Sequence, residues 1–385
     1  MKKLLLLPIL GLLLVYACND AELQIGEHVP NLPSNAYDYV GFLDDLESFV
    51  LPDEVTFGDQ NIVFGEHNNV VGGASLTTHF NDKHNAEATL GRVLFYDNRM
   101  SKNNSIACAS CHRQNLAFSD DVAVSSGFGG QLTTRNSSSI VNPMFGNTFF
   151  WDGRSRSLED LALRPVFDHV EMGMDSEADL IQKLAREDYY QALFKDAYGS
   201  PAVTGDGIRS ALAAFVSSMF SGDSKFDDGT KNDFAEFSQL ERHGMALFFS
   251  EQTQCASCHS GINFASPSGI GNEYQQTSGT TNIGLDVVYD DPGFSDGKFK
   301  IPSIRNAALT APYMHDGRFE TLREVIDHYN EGVQPHTDLD RKLTINGSPI
   351  RMNLTELDKD ALVAFVSTLT SKSLLVDEKY SNPFK

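Results

Sequence analysis

Two copies of one pentapeptide, Cys-Ala-Ser-Cys-His, stand at 108–112 and 255–259. Cysteines at this spacing, with a histidine directly after the second, suit one well-defined chemistry. The thiols close thioethers onto the two vinyl groups of a porphyrin, and the imidazole turns inward to bind the iron. The residues therefore point to two covalent c-type haems, one held by Cys108, Cys111 and His112 and the other by Cys255, Cys258 and His259. A zinc site assembled from the two Cys-x-x-Cys pairs is the competing reading, since zinc also takes thiolates. It is the weaker one, because structural zinc modules usually close over short loops. Here the pairs lie far apart and each carries its own histidine.

The chain has five cysteines, so only Cys18 falls outside the motifs. Lys2 and Lys3 precede an apolar run over 4–16, which reads as a secretory signal, and Leu14-Val15-Tyr16-Ala17-Cys18 resembles a bacterial lipobox. The expectation is removal of 1–17 as a lipoprotein signal peptide. Acylation of Cys18 would then place the protein on the periplasmic side of a membrane as an exported, lipid-anchored lipoprotein. An ordinary signal peptide with a spare cysteine is the alternative, and it exports the chain equally. The formal charge of −22 argues against nucleic acid and favours encounter with basic proteins, among them small soluble electron carriers.

The elements that must position the motifs show in the apolar pattern. Amphipathic stretches at 86–96 and 237–249 precede the two motifs. Ile208, Leu212, Phe215, Val216 and Met219 form one helical stripe, and Leu357, Ala361, Val363, Ala364 and Leu369 form another, which starts at a Thr355/Asp358 capping box. The halves echo each other in order. Arg135-Asn136 is matched with Arg305-Asn306, Asp152-Gly153-Arg154 with Asp316-Gly317-Arg318, and 211–219 (ALAAFVSSM) with 361–369 (ALVAFVSTL). Gly-rich connections lie at 127–130, 266–279 and 290–297. The expected fold is mainly α: two cytochrome c-like domains related by duplication, with long haem-wrapping loops. The boundaries read as an extension at 18–80, a first domain at 81–225 and a second at 226–385, with 222–233 as a linker.

Several landmarks together resemble the bacterial dihaem cytochrome c peroxidases and the related dihaem enzymes that mature a tryptophan-derived quinone cofactor. They are Leu90-Gly91-Arg92-Val93-Leu94-Phe95-Tyr96-Asp97, Phe150-Trp151-Asp152-Gly153-Arg154, Glu171-Met172-Gly173 and Ala311-Pro312-Tyr313-Met314-His315-Asp316-Gly317. The resemblance covers most of the chain from about Leu90. It implies that the first haem is peroxidatic and the second supplies an electron. Glu171 falls at the family's distal acid, a carboxylate that takes a proton from one peroxide oxygen and returns it to the leaving one. Trp151, the only tryptophan, stands between the haems in the resembling enzymes, where a large ring can pass electrons or simply fill space. Asn136, Thr310 and Pro312 fall at positions that bind a calcium ion, the first by its side chain and the others by carbonyls.

The sequence departs from the pattern in two places. The stretch 113–150 contains no histidine to cap the first iron, and Phe128 stands near that position; an open or water-bound first haem is expected, with His169 an outside ligand. Leu161 replaces a glutamine placed near the peroxide in relatives. The sixth ligand of the second haem stays open between Tyr329, which falls at the family position, and Met314, whose thioether would raise the potential.

The leading expectation is a cytochrome c peroxidase, an enzyme reducing hydrogen peroxide to water with electrons from a donor such as a small cytochrome or cupredoxin. The alternatives are a dihaem oxidase that uses high-valent haem to modify a protein or organic substrate, and a non-catalytic dihaem electron carrier. The expected partners are hydrogen peroxide, a soluble electron-donor protein, a membrane through Cys18 and a second copy as a homodimer.

Overall fold

The computed structural model describes residues 82–265 and 279–384, Pro30, and the strands Glu54–Phe57 and Gln60–Val63. The expected signal peptide at 1–17, Cys18, most of the 18–80 extension and the Gly-rich stretch 266–278 lie outside the described residues. The helices in chain order are α1 (Asp82–Tyr96), α2 (Cys108–Cys111), α3 (Leu158–Ala162), α4 (Arg164–Phe167), α5 (Glu177–Leu184), α6 (Asp188–Tyr198), α7 (Gly205–Ser217), α8 (Lys225–Gly229), α9 (Gln239–Phe248), α10 (Leu322–Asp327) and α11 (Glu356–Ser367). Strands are short antiparallel pairs: β1 (Glu54–Phe57) with β2 (Gln60–Val63), β3 (Thr280–Thr281) with β4 (Phe299–Lys300), and β5 (Thr344–Ile345) with β6 (Ser348–Pro349). The fold is mainly α.

Two helix pairs carry the packing, and both are built around a glycine. On α1, Leu90, Val93 and Leu94 are fully buried against Ile208, Leu212 and Phe215 of α7. The axes approach at Gly91, where a Cβ would stand 1.9 Å from Ala211 O. On α9, Gly244 meets α11 the same way, with a Cβ position 1.8 Å from Ala361 O. Only a residue without a side chain permits either approach. Caps fix where these helices begin. Ser238 and Glu241 form a capping box on α9, Thr355 and Asp358 form another on α11, and the Thr204 side chain accepts from Gly207 N at the start of α7.

Most of the buried apolar side chains form two clusters, one running from Ala88 to Met219 and the other from Phe226 to Leu369. Leu374 and Tyr380, although they follow the second cluster in the chain, are buried in the first. The stretch 222–233 is no linker: it contains α8, with Phe226 and Asp227 fully buried in the second core. Asp227 is sequestered because Arg305 meets it with two hydrogen bonds of 2.9 Å, an internal pairing that charge counting along the chain does not show.

The loop that leads from each motif towards the next helices repeats at a constant offset. Asn142 and Asn306 (142 + 164 = 306) both take left-handed φ, 55° and 61°. Their N–H groups donate to Met219 O (2.8 Å) and Leu369 O (3.1 Å), and their Oδ1 atoms accept from Ser221 N and Ser371 N, both at 2.8 Å. The structural partner of Asn306 is thus Asn142 and not Asn136. The backbone requires an amide that tolerates positive φ and bridges two segments, whereas Asn136 donates to Val122 O and Ala123 O. The offset continues through Phe150 and Met314 (φ 63° and 73°) to Gly153 and Gly317 (both 66°), so Trp151 and His315 occupy equivalent positions.

Candidate haem site

Both pentapeptides open onto one cavity of about 1250 Å³, which is also lined by Trp151, Glu171, Asn136, Thr310, Pro312, Met314 and Tyr329. Each motif is a single tight turn, His112 N donating to Cys108 O (3.0 Å) and His259 N to Cys255 O (2.8 Å). The chain then doubles back through residues of positive φ, Ala117 and Phe118 in the first loop and Phe264 in the second. That reversal aims a carbonyl at each imidazole: His112 Nδ1 lies 3.0 Å from Phe118 O and His259 Nδ1 3.2 Å from Phe264 O. A carbonyl can only accept, so Nδ1 carries the proton and Nε2 presents its lone pair. Burial holds both imidazoles below the usual histidine range, in the neutral form that ligates a metal.

The thiols tell the same story from the other side. Burial pushes Cys108 up to about 12 and Cys255 to about 11. Thiolates are disfavoured there, while a neutral thioether carries no such penalty. Among the described residues no three His, Cys, Asp or Glu side chains gather to hold a metal, so the four thiols do not form the tetrahedral set zinc requires. A neutral imidazole ligand beside two half-buried thiols, found twice around one largely apolar cavity, fits two c-type haems.

Glu171 is positioned by its own turn. Asp168 Oδ1 accepts from Val170 N (2.8 Å) and Glu171 N (3.1 Å), and Phe128 N donates to Glu171 O (2.9 Å). Gly127 lets the neighbouring strand of chain come close, since a Cβ there would stand 1.7 Å from Val170 O. The Glu171 carboxyl is raised above the ordinary carboxylate range, first by burial and then by the Asp168 charge, with Arg154 pulling the other way. Arg154 lies over the Phe150 ring at 3.5 Å and pairs with Asp152 at 3.0 Å. Asp152 also takes Arg135 at 2.7 Å, and Arg135 continues to Asp291 at 2.6 Å. This network braces the loop wall.

Trp151 is anchored at both ends: Nε1 donates to Asn136 O at 2.8 Å, and its carbonyl accepts Lys300 N at 2.6 Å. Asn136, Thr310 and Pro312 line the same cavity, and Asn136 uses its Nδ2 for Val122 O and Ala123 O. Phe128 sits beside Gly173, where a Cβ would come within 2.2 Å of its ring. His169 is exposed at the cavity edge and Leu161 lines it. Tyr329, in the π-turn His328–Gly332, lies beside Cys255 and Cys258; burial drives its hydroxyl far above the usual phenol range, with the two thiols adding to the shift. Met314 lines the cavity as well.

Two lining residues did not emerge from the sequence. His315 stacks on Phe299 at 3.7 Å, its Nδ1 buried without a partner, and the 164-residue offset from Trp151 would have singled it out. Lys300, whose burial pulls it down to about 8, left no signal beyond being a lysine next to an apolar strand residue.

A sequence profile of the di-haem cytochrome c peroxidases matches residues 85–235. The methylamine utilization protein MauG of Methylorubrum extorquens is 32% identical over 299 residues, covering 74% of this chain and 78% of that protein. The cytochrome c551 peroxidase of Nitrosomonas europaea is 31% identical over 296 residues, with 74% and 79% covered. Among solved structures, a MauG-like protein associated with microbial copper homeostasis superposes with a TM-score of 0.72 at 29% identity, over 86% of this chain and 100% of that one.

Proposed function

The chain belongs to the di-haem cytochrome c peroxidase family, and we propose that it reduces hydrogen peroxide to water with electrons from an external donor protein. Cys108, Cys111 and His112 would hold one haem c, and Cys255, Cys258 and His259 the other. Bound there, the two irons supply peroxide activation and storage of the two electrons that the reaction consumes. The observation that carries the reading is Glu171, a half-buried carboxyl of raised pKa on the cavity wall beside Cys108 and Cys111. Such a group holds a proton more readily than an ordinary carboxylate, and can accept one at a carboxylate oxygen and hand it back within the same site.

The remaining residues fit supporting parts. Trp151, fixed at its ring nitrogen and its carbonyl, serves as the electron bridge between the motifs. Asn136 Oδ1 with the Thr310 and Pro312 carbonyls forms an oxygen-only set that suits calcium. The matching roles of Asn142 with Asn306 and of Gly91 with Gly244 support two cytochrome c-like units, 81–225 and 226–385, related by duplication and wrapped by their loops. Export and lipid anchoring at Cys18 complete the reading, and among the described residues no helix is long and apolar enough to cross a membrane.

The test is Glu171→Gln in the holoprotein. Peroxide turnover with a reduced donor is expected to fall roughly 100-fold or more with both haem spectra intact. Unchanged turnover would remove Glu171 from the reaction. A second reading, oxidation of a protein or organic substrate, is favoured by Tyr329 beside the second motif and by the likeness to MauG. Oxidation of an organic substrate without added donor would select it.

A further inference from the structure

Lys300 is a charged group on the cavity wall for which the proposed reaction has no use. It ends β4, its N–H held by Trp151 O at 2.6 Å, and its side chain lines the cavity close to His259. Its strand neighbour Phe299 faces the opposite way, onto His315, as alternation along a strand dictates. Three other cations on the same wall are satisfied: Arg135 by Asp152 and Asp291, Arg305 by Asp227, and Lys342 by Ser257 O at 2.9 Å. The Lys300 ammonium has no carboxylate or carbonyl partner among the described residues.

A half-buried cation drawn into a largely apolar cavity without a counter-ion is unfavourable, and an anionic group on a ligand bound there would supply the missing partner. The ligand expected in this cavity carries two carboxylates of its own, the haem propionates. We propose that Lys300 is the counter-ion of a propionate on the haem attached at Cys255 and Cys258, and that its charge raises the reduction potential of that haem. A fixed positive charge disfavours the ferric state, which bears one more positive charge than the ferrous. Lys300 is thus a positioning and tuning residue: it acts on the carboxylate edge, and its backbone ties the same strand to Trp151.

This inference rests on the assignment of a haem to 255–259, and it does not require peroxide turnover. The experiment is potentiometry of the holoprotein, reading the two haems separately by electron paramagnetic resonance, for the parent, Lys300→Met, Lys300→Gln and Lys300→Arg. Haem content per chain is checked for each. In the Met and Gln variants the reduced-to-oxidised ratio of the second haem at fixed ambient potential is expected to fall about ten-fold, about 59 mV for a one-electron couple. The first haem should stay unchanged, and Lys300→Arg should restore the parent value. Equal potentials in all four proteins, or a shift confined to the first haem, would overturn the assignment. Absence of peroxide turnover in the parent would count against the proposed reaction alone and leave these potentials readable.

Discussion

Replacing Asp227 with asparagine should destabilise the second unit far more than any surface charge change. Arg305 sends Nη1 and Nη2 to the two Asp227 oxygens at 2.9 Å each, and both side chains are 1% exposed. Its Nε donates to Ile262 O at 2.7 Å, inside the turn whose Phe264 carbonyl orients His259. Asparagine keeps an acceptor oxygen for Ser224 N–H but leaves the guanidinium buried without its counter-charge. Breaking such a pair costs about 3–5 kcal/mol, a large part of the ~5–15 kcal/mol that separates folded from unfolded domains. By contrast Lys102 and Asp175 meet at 2.7 Å with side chains 49% and 66% exposed, and an exposed pair contributes ~0–1 kcal/mol. Guanidinium unfolding of the holoprotein, followed by circular dichroism, measures both. A large fall in midpoint is expected for Asp227→Asn and almost none for Lys102→Met. The double variant Asp227→Asn/Arg305→Met should regain most of the loss, because it removes the orphaned charge as well. Equal midpoints for Asp227→Asn and Lys102→Met would refute the argument.

Two further outcomes follow from the site. Glu171 must be ionised to accept a proton, and its raised pKa places the acid limb of peroxide turnover above the ordinary carboxylate range. Asp168→Asn removes a nearby negative charge and should move that limb to lower pH, while Arg154→Gln removes a cation and should move it to higher pH; pH–rate profiles with shifts of one sign in both variants would contradict the assignment. Tyr329→Phe and Met314→Leu separate the two candidate sixth ligands of the second haem, since only loss of the true ligand should convert its low-spin resonance to high-spin, and a change in neither would exclude both.

Local chemistry was legible in the sequence, and long-range chemistry was not. The pentapeptides, the Thr355/Asp358 cap and the apolar stripes of α7 and α11 are properties of a few neighbouring residues, so their spacing suffices to read them. The repeat was visible but misaligned at one point. Arg-Asn recurs by identity at 135–136 and 305–306, whereas the backbone demands an amide with positive φ that bridges two segments, and Asn142 meets that demand. The Asp227–Arg305 pair joins residues 78 apart, and nothing in either neighbourhood announces the other. The raised Glu171 carboxyl and the unpartnered Lys300 depend on burial, which exists only once the loops have closed.

The end of the chain shows why one cavity serves both motifs. After α11 the second unit does not stop at its own core, and 374–384 crosses to the first. Gln114 Nε2 binds Leu374 O (3.0 Å) and Asp377 O (2.8 Å), Arg92 binds Glu378 O (2.9 Å) and Ser381 O (2.6 Å), and Tyr96 OH donates to Tyr380 O at 2.6 Å. Tyr380 then packs edge-on against Phe118, centroids 6.2 Å apart, and Phe118 is the residue whose carbonyl orients His112. A segment continuous with the second unit therefore buttresses the proximal side of the first motif. From the opposite side, Lys300 N–H on Trp151 O and Asn136 N–H on His315 O (2.7 Å) tie the two loop systems directly. With ties on both sides, the separation of the motifs is set by packed and hydrogen-bonded contacts. The electron passage proposed for Trp151 requires that constancy, and a flexible linker at 222–233 would not have supplied it.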